Sequence, residues 1–209
     1  LEEHQGLGSA EGVLYRWGEL SEPDKQELIF EELYQRLSEM GDESSSFAVH
    51  VLLKRIAIAE NPAPLMNCLI QHYIDAESYE RALEWLECLL DKTSDPLERD
   101  TILRRAFVIT QEKFEEPERS IAQLNRLQSL SSDEARILGV LLAETRNWQG
   151  IERREADWDF FAPETHYCAG EHWLENGELD RARRHFECYL DGGGDEGLIW
   201  GVVEGPWRE

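Results

Sequence analysis

The sequence consists of short apolar patterns with helical spacing, separated by breaks rich in proline and glycine. After Ser21 and Pro23, for example, Leu33 and Leu37 lie four residues apart, and Gly41 follows the pattern. Serine and proline are typical of the first turn of a helix, and glycine is typical of its end. Strand signals, such as alternating apolar residues beside an Asn-Gly turn, are nearly absent. The chain is therefore predicted to be all-α.

Prolines divide the rest of the chain in the same way. Proline is tolerated in the first turn of a helix and disrupts its interior, so each one predicts the start of a helix. Helices joined by only a few residues are expected to pack as antiparallel hairpins. This predicts about ten helices, over residues 22–40, 46–60, 64–76, 78–92, 97–112, 116–129, 132–145, 147–158, 163–176 and 178–191.

Two stretches of the chain are related to each other. Residues 64–91 and 164–191 align without a gap, so that each position in the first corresponds to the position 100 residues later. The identical pairs are Cys68 and Cys168, His72 and His172, Arg81 and Arg181, Ala82 and Ala182, Glu87 and Glu187, Cys88 and Cys188, Leu90 and Leu190, and Asp91 and Asp191. Such spacing indicates an internal helical repeat.

The repeated positions resemble the tetratricopeptide repeat, whose motif places small and aromatic residues at fixed spacing over two helices. Residues 163–191 match it at Ala169, Gly170, Trp173, Leu179, Ala182, Phe186 and Tyr189. Residues 63–91 match it at Leu69, Tyr73, Tyr79, Ala82 and Leu86, although Ile70 stands where the motif prefers glycine. Weaker matches cover residues 132–158 and 101–127. The resemblance implies a right-handed α-solenoid of antiparallel helical hairpins.

This resemblance suggests four parts of the chain. They are an N-terminal extension at 1–20, a capping hairpin at 21–62, four degenerate repeats at 63–191, and a glycine-rich break with an apolar tail at 192–209. A free apolar tail invites aggregation. The segment Leu198–Val203 is therefore expected to fold back over an exposed face or to mediate self-association. Small residues such as Gly139 and Gly170 are expected to let two helices approach closely.

Charge narrows the range of partners. The chain has 44 acidic and 21 basic residues, which gives a net charge of -23. Such a surface repels nucleic acid and anionic membranes, and it suits a basic partner or simply solubility. No apolar run reaches the length of a membrane span, and no signal-peptide pattern is seen. A cytoplasmic location is expected, or a periplasmic one if a signal peptide has been removed.

The repeated cysteines and histidines allow three interpretations. Each cysteine can be a small residue in a helix contact, part of a disulfide that joins its hairpin, or a metal ligand with the histidine four residues away. A zinc site would be one ligand short. The metal candidates would be Cys68, His72, Cys88, Cys168, His172 and Cys188. His166, His172 and His185 fall in one predicted hairpin and are expected at the surface or along a groove.

No catalytic motif is present, so the protein is expected not to be an enzyme and to need no cofactor. The family resemblance implies instead a protein or peptide partner held on a concave face by the first helix of each hairpin. Carried onto this sequence, that face comprises Asn67, Gln71, Asp75, Arg105, Ile109, Glu112, Arg136, Val140, Glu144, Tyr167, Glu171 and Glu175. The predicted function is a scaffold or adaptor. The alternatives are an envelope-assembly or polysaccharide-export component that recruits secretion machinery, and a metal-binding or redox-sensitive protein.

Overall fold

The computed structural model describes residues 10–39 and 46–199, which are helical apart from turns and short linkers. They fall into two compact units, divided between Glu98 and Arg99. The helices are α1 (Ala10–Leu20), α2 (Pro23–Glu39), α3 (Ser46–Ile58), α4 (Ala63–Asp75), α5 (Tyr79–Lys92), α6 (Pro96–Lys113), α7 (Pro117–Arg126), α8 (Ser132–Glu144), α9 (Trp148–Glu152), a 3-10 helix (Glu155–Phe160), α10 (Pro163–Glu175) and α11 (Leu179–Asp191). The prediction of an all-α fold of helical hairpins is confirmed.

Proline and serine begin several of these helices as the sequence predicted. Pro96, Pro117 and Pro163 are each the first residue of a helix, where the missing N–H costs no hydrogen bond. Ser131 and Glu134 form a capping box at the start of α8, in which each side chain bonds the other residue's backbone. Most predicted boundaries consequently agree with the structure to within three residues.

The predicted helix at 147–158 is wrong, because the structure breaks it in two. In an unbroken helix the Ile151 carbonyl would accept a hydrogen bond from the N–H of Glu155. It accepts instead from the Arg154 N–H at 3.0 Å and from the Trp158 indole Nε1 at 2.9 Å. The chain therefore leaves the α-helix after Glu152 and continues as a 3-10 helix. Helix α1 lies in the segment that was expected to be an N-terminal extension. Because of α1 and this break, the described residues form more helices than the ten predicted.

One turn recurs in three hairpins. In the turn after α4, the Ser78 N–H donates to the Tyr73 carbonyl at 2.8 Å and the intervening Glu77 has a φ of 54°. Asn147 and Leu142 make the same bond after α8, around Arg146 at 53°. After α10 the bond joins Glu178 to Trp173, around Gly177 at 76°. This left-handed residue ends a helix and reverses the chain within a few residues. The repeat is therefore present in the structure as well as in the sequence.

Each unit has its own packing. In the first unit α1 lies against α2, α2 against α3, α3 against α4 and α4 against α5. In the second unit α8 contacts α7, α9, the 3-10 helix and α10, and α10 pairs with α11. Arg104 of α6 joins Glu134 of α8 through a 2.6 Å contact between Nε and Oε1. Helix α8 thus lies at the centre of the second unit.

Glycine allows two close approaches in the second unit, as the sequence predicted. A Cβ atom built on Gly170 would lie 2.6 Å from the Phe186 ring, and one on Gly139 would lie 2.8 Å from the Phe161 ring. These separations are shorter than any ordinary carbon contact, so only glycine fits while the aromatic ring stays in place. Within the described residues, no helix is long and apolar enough to cross a membrane.

Candidate functional site

The main candidate site is a groove between α8 and α10, within the second unit. It encloses about 640 Å³ and is lined by Val140, Ala143, Glu144, Arg146, Trp148, Glu164, Thr165, Cys168, Glu171, His172 and Glu175. Helix α8 contributes one wall and α10 the other, because these two helices pack side by side. Four of the lining residues, Val140, Glu144, Glu171 and Glu175, belong to the concave face proposed from the sequence. We call this surface the acidic groove.

The charges in the acidic groove are strongly unbalanced. Glu144, Glu164, Glu171 and Glu175 bring four carboxylates to one cavity, against the single guanidinium of Arg146. Carboxylates that share a cavity repel one another and attract a cation that enters it. Between them, Val140 and Ala143 supply an apolar surface. A long side chain with a positive end suits this combination, because its stem and its charge find different partners.

Glu171 lies at the middle of the α10 wall and affects its neighbours electrostatically. Burial raises the pKa of Tyr167 to about 12, and a hydrogen bond to Glu171 contributes to the shift. Burial also raises the pKa of the Cys168 thiol, with a further contribution from the Glu171 charge. A nearby carboxylate disfavours the ionisation of other acids, so Glu171 adds to the effect of burial at both residues.

A stacked aromatic pair, Trp148 and His172, also lines the groove. The rings of Trp148 and His172 are stacked, with centroids 5.0 Å apart and planes 21° apart. His172 also meets the edge of Trp173 at 4.9 Å. The same Trp148–His172 pair borders a neighbouring pocket of about 480 Å³, which is lined by polar residues including Asn147, Gln149 and Asn176. Both residues are half-buried, and a half-buried aromatic ring beside carboxylates is suited to a cation.

The other predicted groove residues lie outside this cavity. Ile109 is only 8% exposed and packs in the interior, so its assignment to a binding surface is wrong. Of the remainder, Arg105 and Tyr167 are half-buried, and the exposed positions are Asn67, Gln71 and Asp75 on α4, Glu112 on α6 and Arg136 on α8. On α4, Gln71 donates a hydrogen bond to Asp75 at 2.8 Å. These two side chains of α4 thus bond each other at the surface.

Two predicted surface histidines are buried instead. His166 is 2% exposed and His185 is fully buried, because they face each other between α10 and α11. Their Nδ1 atoms are 3.0 Å apart. Sequence reasoning placed them at the surface because histidine usually lies there. The alignment of the two repeats carried a contrary signal, since His166 corresponds to Met66, an apolar residue of α4 that is fully buried.

All four cysteines are free thiols in the structure. Cys68, Cys88 and Cys168 are exposed and Cys188 is half-buried, so the first three are not residues of a close helix contact. Across the described residues, no group of three or more histidine, cysteine, aspartate or glutamate side chains is arranged to hold a metal ion.

A second, apolar groove of about 460 Å³ runs along α11. Its lining includes Leu174, Leu179, Phe186 and Ile199. Ile199 packs against the cluster of Trp173, Ala182 and Phe186, whereas Leu198 is 52% exposed. The rest of the expected tail, from residue 200 to 203, lies outside the described residues.

Comparisons with known proteins bear on the fold alone. No family model and no curated protein matches the chain. Among solved structures it is similar to a double mutant of MamA RS-1, with 14% identity, a TM-score of 0.41, and coverage of 80% of this chain and 94% of that one. It is also similar to YrrB, described as a TPR protein with an unusual peptide-binding site, with 14% identity, a TM-score of 0.39, and coverage of 94% and 98%.

A third similar structure is a putative kinesin light chain with TPR-like repeats from Podosopora anserina. It has 13% identity and a TM-score of 0.36, with full coverage of both chains. At these scores, the hairpin architecture rests on the turns and packing of this chain itself.

Proposed function

We propose that this protein is an interaction module that binds a basic segment of a partner protein in the acidic groove. The observation that supports this most is the set of four carboxylates that α8 and α10 direct to one cavity, with a single arginine among them. Lysine and arginine side chains complement such a site in charge. The net charge of -23 adds long-range attraction for the same kind of partner.

The groove offers separate partners for the stem and the head of a basic side chain. The stem of a lysine or arginine can lie along Val140 and Ala143 while its charge meets Glu171 or Glu175. The half-buried Trp148 ring, which also lines the groove, can accept a guanidinium. A stretch of partner chain with two or three basic residues would therefore engage several of these features together.

Catalysis is not part of the proposal. Each partly exposed carboxylate contributes on the order of 0.5 to 1 kcal/mol to binding a cation, and these contributions are reduced by salt. Affinity is thus expected to be moderate and to depend strongly on ionic strength. The cytoplasmic location and the alternative role in envelope assembly stay predictions from the sequence.

A titration tests the proposal directly. The probe is a 12-residue peptide in which lysine or arginine alternates with alanine, and its acidic counterpart with glutamate serves as the negative probe. The Glu171→Gln/Glu175→Gln variant is expected to weaken binding of the basic peptide about tenfold, which corresponds to about 1.4 kcal/mol. Glutamine keeps the size of the side chain and removes its charge, so the fold should be unaffected.

The matched control is Asp75→Asn, which neutralises a carboxylate at the position of α4 that aligns with Glu175. Asp75 is exposed and lies outside the acidic groove. Its neutralisation should leave the affinity within about twofold of wild type. The control removes one charge and the double variant removes two. If Asp75→Asn alone costs half the binding free energy that the double variant costs, the attraction comes from overall charge and the groove is not the binding site.

A further inference from the structure

The buried histidine pair lies beneath the α10 wall of the acidic groove and has no role in the proposed binding. His166 of α10 and His185 of α11 approach through their Nδ1 atoms at 3.0 Å. The Nε2 atom of His166 lies 3.1 Å from the Trp158 carbonyl oxygen, and that of His185 lies 3.0 Å from Glu152 Oε1. Four residues from four segments thus form one chain of three contacts.

The partners determine where the protons lie. A carbonyl oxygen only accepts, so Nε2 of His166 must carry a hydrogen and donate it to Trp158. In a neutral imidazole the other nitrogen then accepts, so Nδ1 of His166 receives a hydrogen from Nδ1 of His185. This leaves Nε2 of a neutral His185 as an acceptor, facing the carboxylate of Glu152. Two acceptors meet there without a proton.

Counting protons shows how the chain responds to acid. Two protons, one on each neutral imidazole, fill two of the three contacts. A third proton fills the remaining contact between His185 and Glu152, and it introduces no net charge if Glu152 is ionised. A fourth proton would put hydrogens on both Nδ1 atoms, 3.0 Å apart, so that two donors and two positive charges would oppose each other. The pair can accept one added proton in place, and no second one.

The charged groups around the pair come from each neighbouring segment. Glu152 of α9 faces His185, and Arg184 of α11 lies 3.9 Å from Glu152 and 3.4 Å from Glu155 of the 3-10 helix. Asp159 of the 3-10 helix acts electrostatically on His166. Elsewhere the rings of Trp158 and Phe161 cover the pair. The aromatic cover excludes water, so a second proton on the pair would find no solvent to stabilise it.

We infer that His166, His185 and Glu152 form an acid-sensitive contact between α10 and α11, which holds one added proton in place and separates when both imidazoles become protonated. Because α10 carries Glu171 and Glu175, separation of the two helices would remove one wall of the acidic groove. The inference concerns the packing of α10 and α11 and does not depend on whether the groove binds a basic partner.

Titration of the native protein between pH 7.5 and 3.5 tests the inference, with the histidine ring signals and the urea unfolding constant measured at each pH. Burial lowers the pKa of His166, and it lowers that of His185 from 6.5 to about 4. The unfolded chain therefore takes up protons before the folded chain does. The unfolding constant should rise as the pH falls from 6.5, by about 150-fold at pH 4 from His185 alone, and the two ring signals should change together.

Two variants distinguish the histidine pair from general acid effects. The double variant His166→Met/His185→Trp replaces the histidine pair with the residue types of the other hairpin, where Met66 and Trp85 occupy the aligned positions. It should remove most of this rise, whereas His72→Gln, which removes a histidine outside the pair, should retain it. If the two rings titrate independently near pH 6.5 while the signals of the other residues in α10 and α11 stay unchanged, the inference is overturned. This observation needs only the wild-type protein.

Discussion

Hairpins α4–α5 and α10–α11 share a turn and eight identical residues, but they fill the space between their helices differently. The first hairpin has Ile70 and Leu86 at the aligned positions where the second has Gly170 packed against Phe186. The first buries Met66, where the second buries His166 in a hydrogen-bonded chain. Two differing sequences therefore form the same hairpin, and their differences give the second one its polar interior and its carboxylate-rich surface.

Exchanging the small and large residues should have the largest effect. Ile70→Gly leaves a cavity at a fully buried site and adds a glycine to a helix, and it should cost about 4 kcal/mol. Gly170→Ile forces a side chain into a position where even Cβ is 2.6 Å from Phe186, and it should cost about 3 kcal/mol. Urea unfolding measures both free energies.

A double substitution sharpens the same comparison. Adding Phe186→Leu to Gly170→Ile recreates the pairing of the first hairpin, and it should recover at least about 1 kcal/mol of the loss. Purely additive losses in the unfolding free energies would show that residues 170 and 186 do not compensate each other.

The next largest effect should come from moving a histidine into the first hairpin. Met66→His places an imidazole at a fully buried position. The first hairpin has Trp85 where the second has His185, so it cannot form the hydrogen-bonded chain of the second hairpin. An unsatisfied buried polar group should cost about 3 kcal/mol at pH 7. Circular dichroism during urea unfolding would measure the loss, and an unchanged midpoint would mean that this site tolerates histidine unaided.

The smallest effect concerns the turn itself. Glu77 has a left-handed φ of 54°, whereas Gly177 has 76° at the aligned position. A side chain is strained there and glycine is not, so Glu77→Gly should stabilise the protein by about 0.5 kcal/mol and Gly177→Glu should destabilise it by about 1 kcal/mol. Thermal unfolding would detect these changes in stability. If both substitutions changed the stability in the same direction, the common turn would be contradicted.

Most of the fold was predictable because its signals are local. Prolines at helix starts and the spacing of apolar residues both act within one or two turns of chain. The break after Glu152 was not predictable, since it depends on the Trp158 indole reaching the Ile151 carbonyl. Ile109 was misplaced because α6 has buried residues on more than one side, so its pattern does not reveal the exposed face.

The candidate site was predictable in part. Family resemblance indicated that α8 and α10 share a face, and the structure brings Val140, Glu144, Glu171 and Glu175 to one cavity. The family resemblance gave no sign of Glu164 or of the stacked Trp148 and His172, and the stacking depends on the packing of α9 against α10. The pairing of His166 with His185 depends likewise on the contact between α10 and α11, which helical periodicity alone does not specify.

Two aligned cysteines allow the most direct test of the acidic groove. Cys168 lines it, whereas Cys68 is also exposed, on α4, and lies outside it. Alkylation rates at both thiols should be measured by mass spectrometry, with and without the basic peptide at about ten times its dissociation constant. Because about a tenth of the protein is then unoccupied, Cys168 should react about tenfold more slowly and Cys68 at its original rate. If a peptide that demonstrably binds leaves the alkylation rate of Cys168 unchanged, the central claim that the acidic groove is the binding site is contradicted.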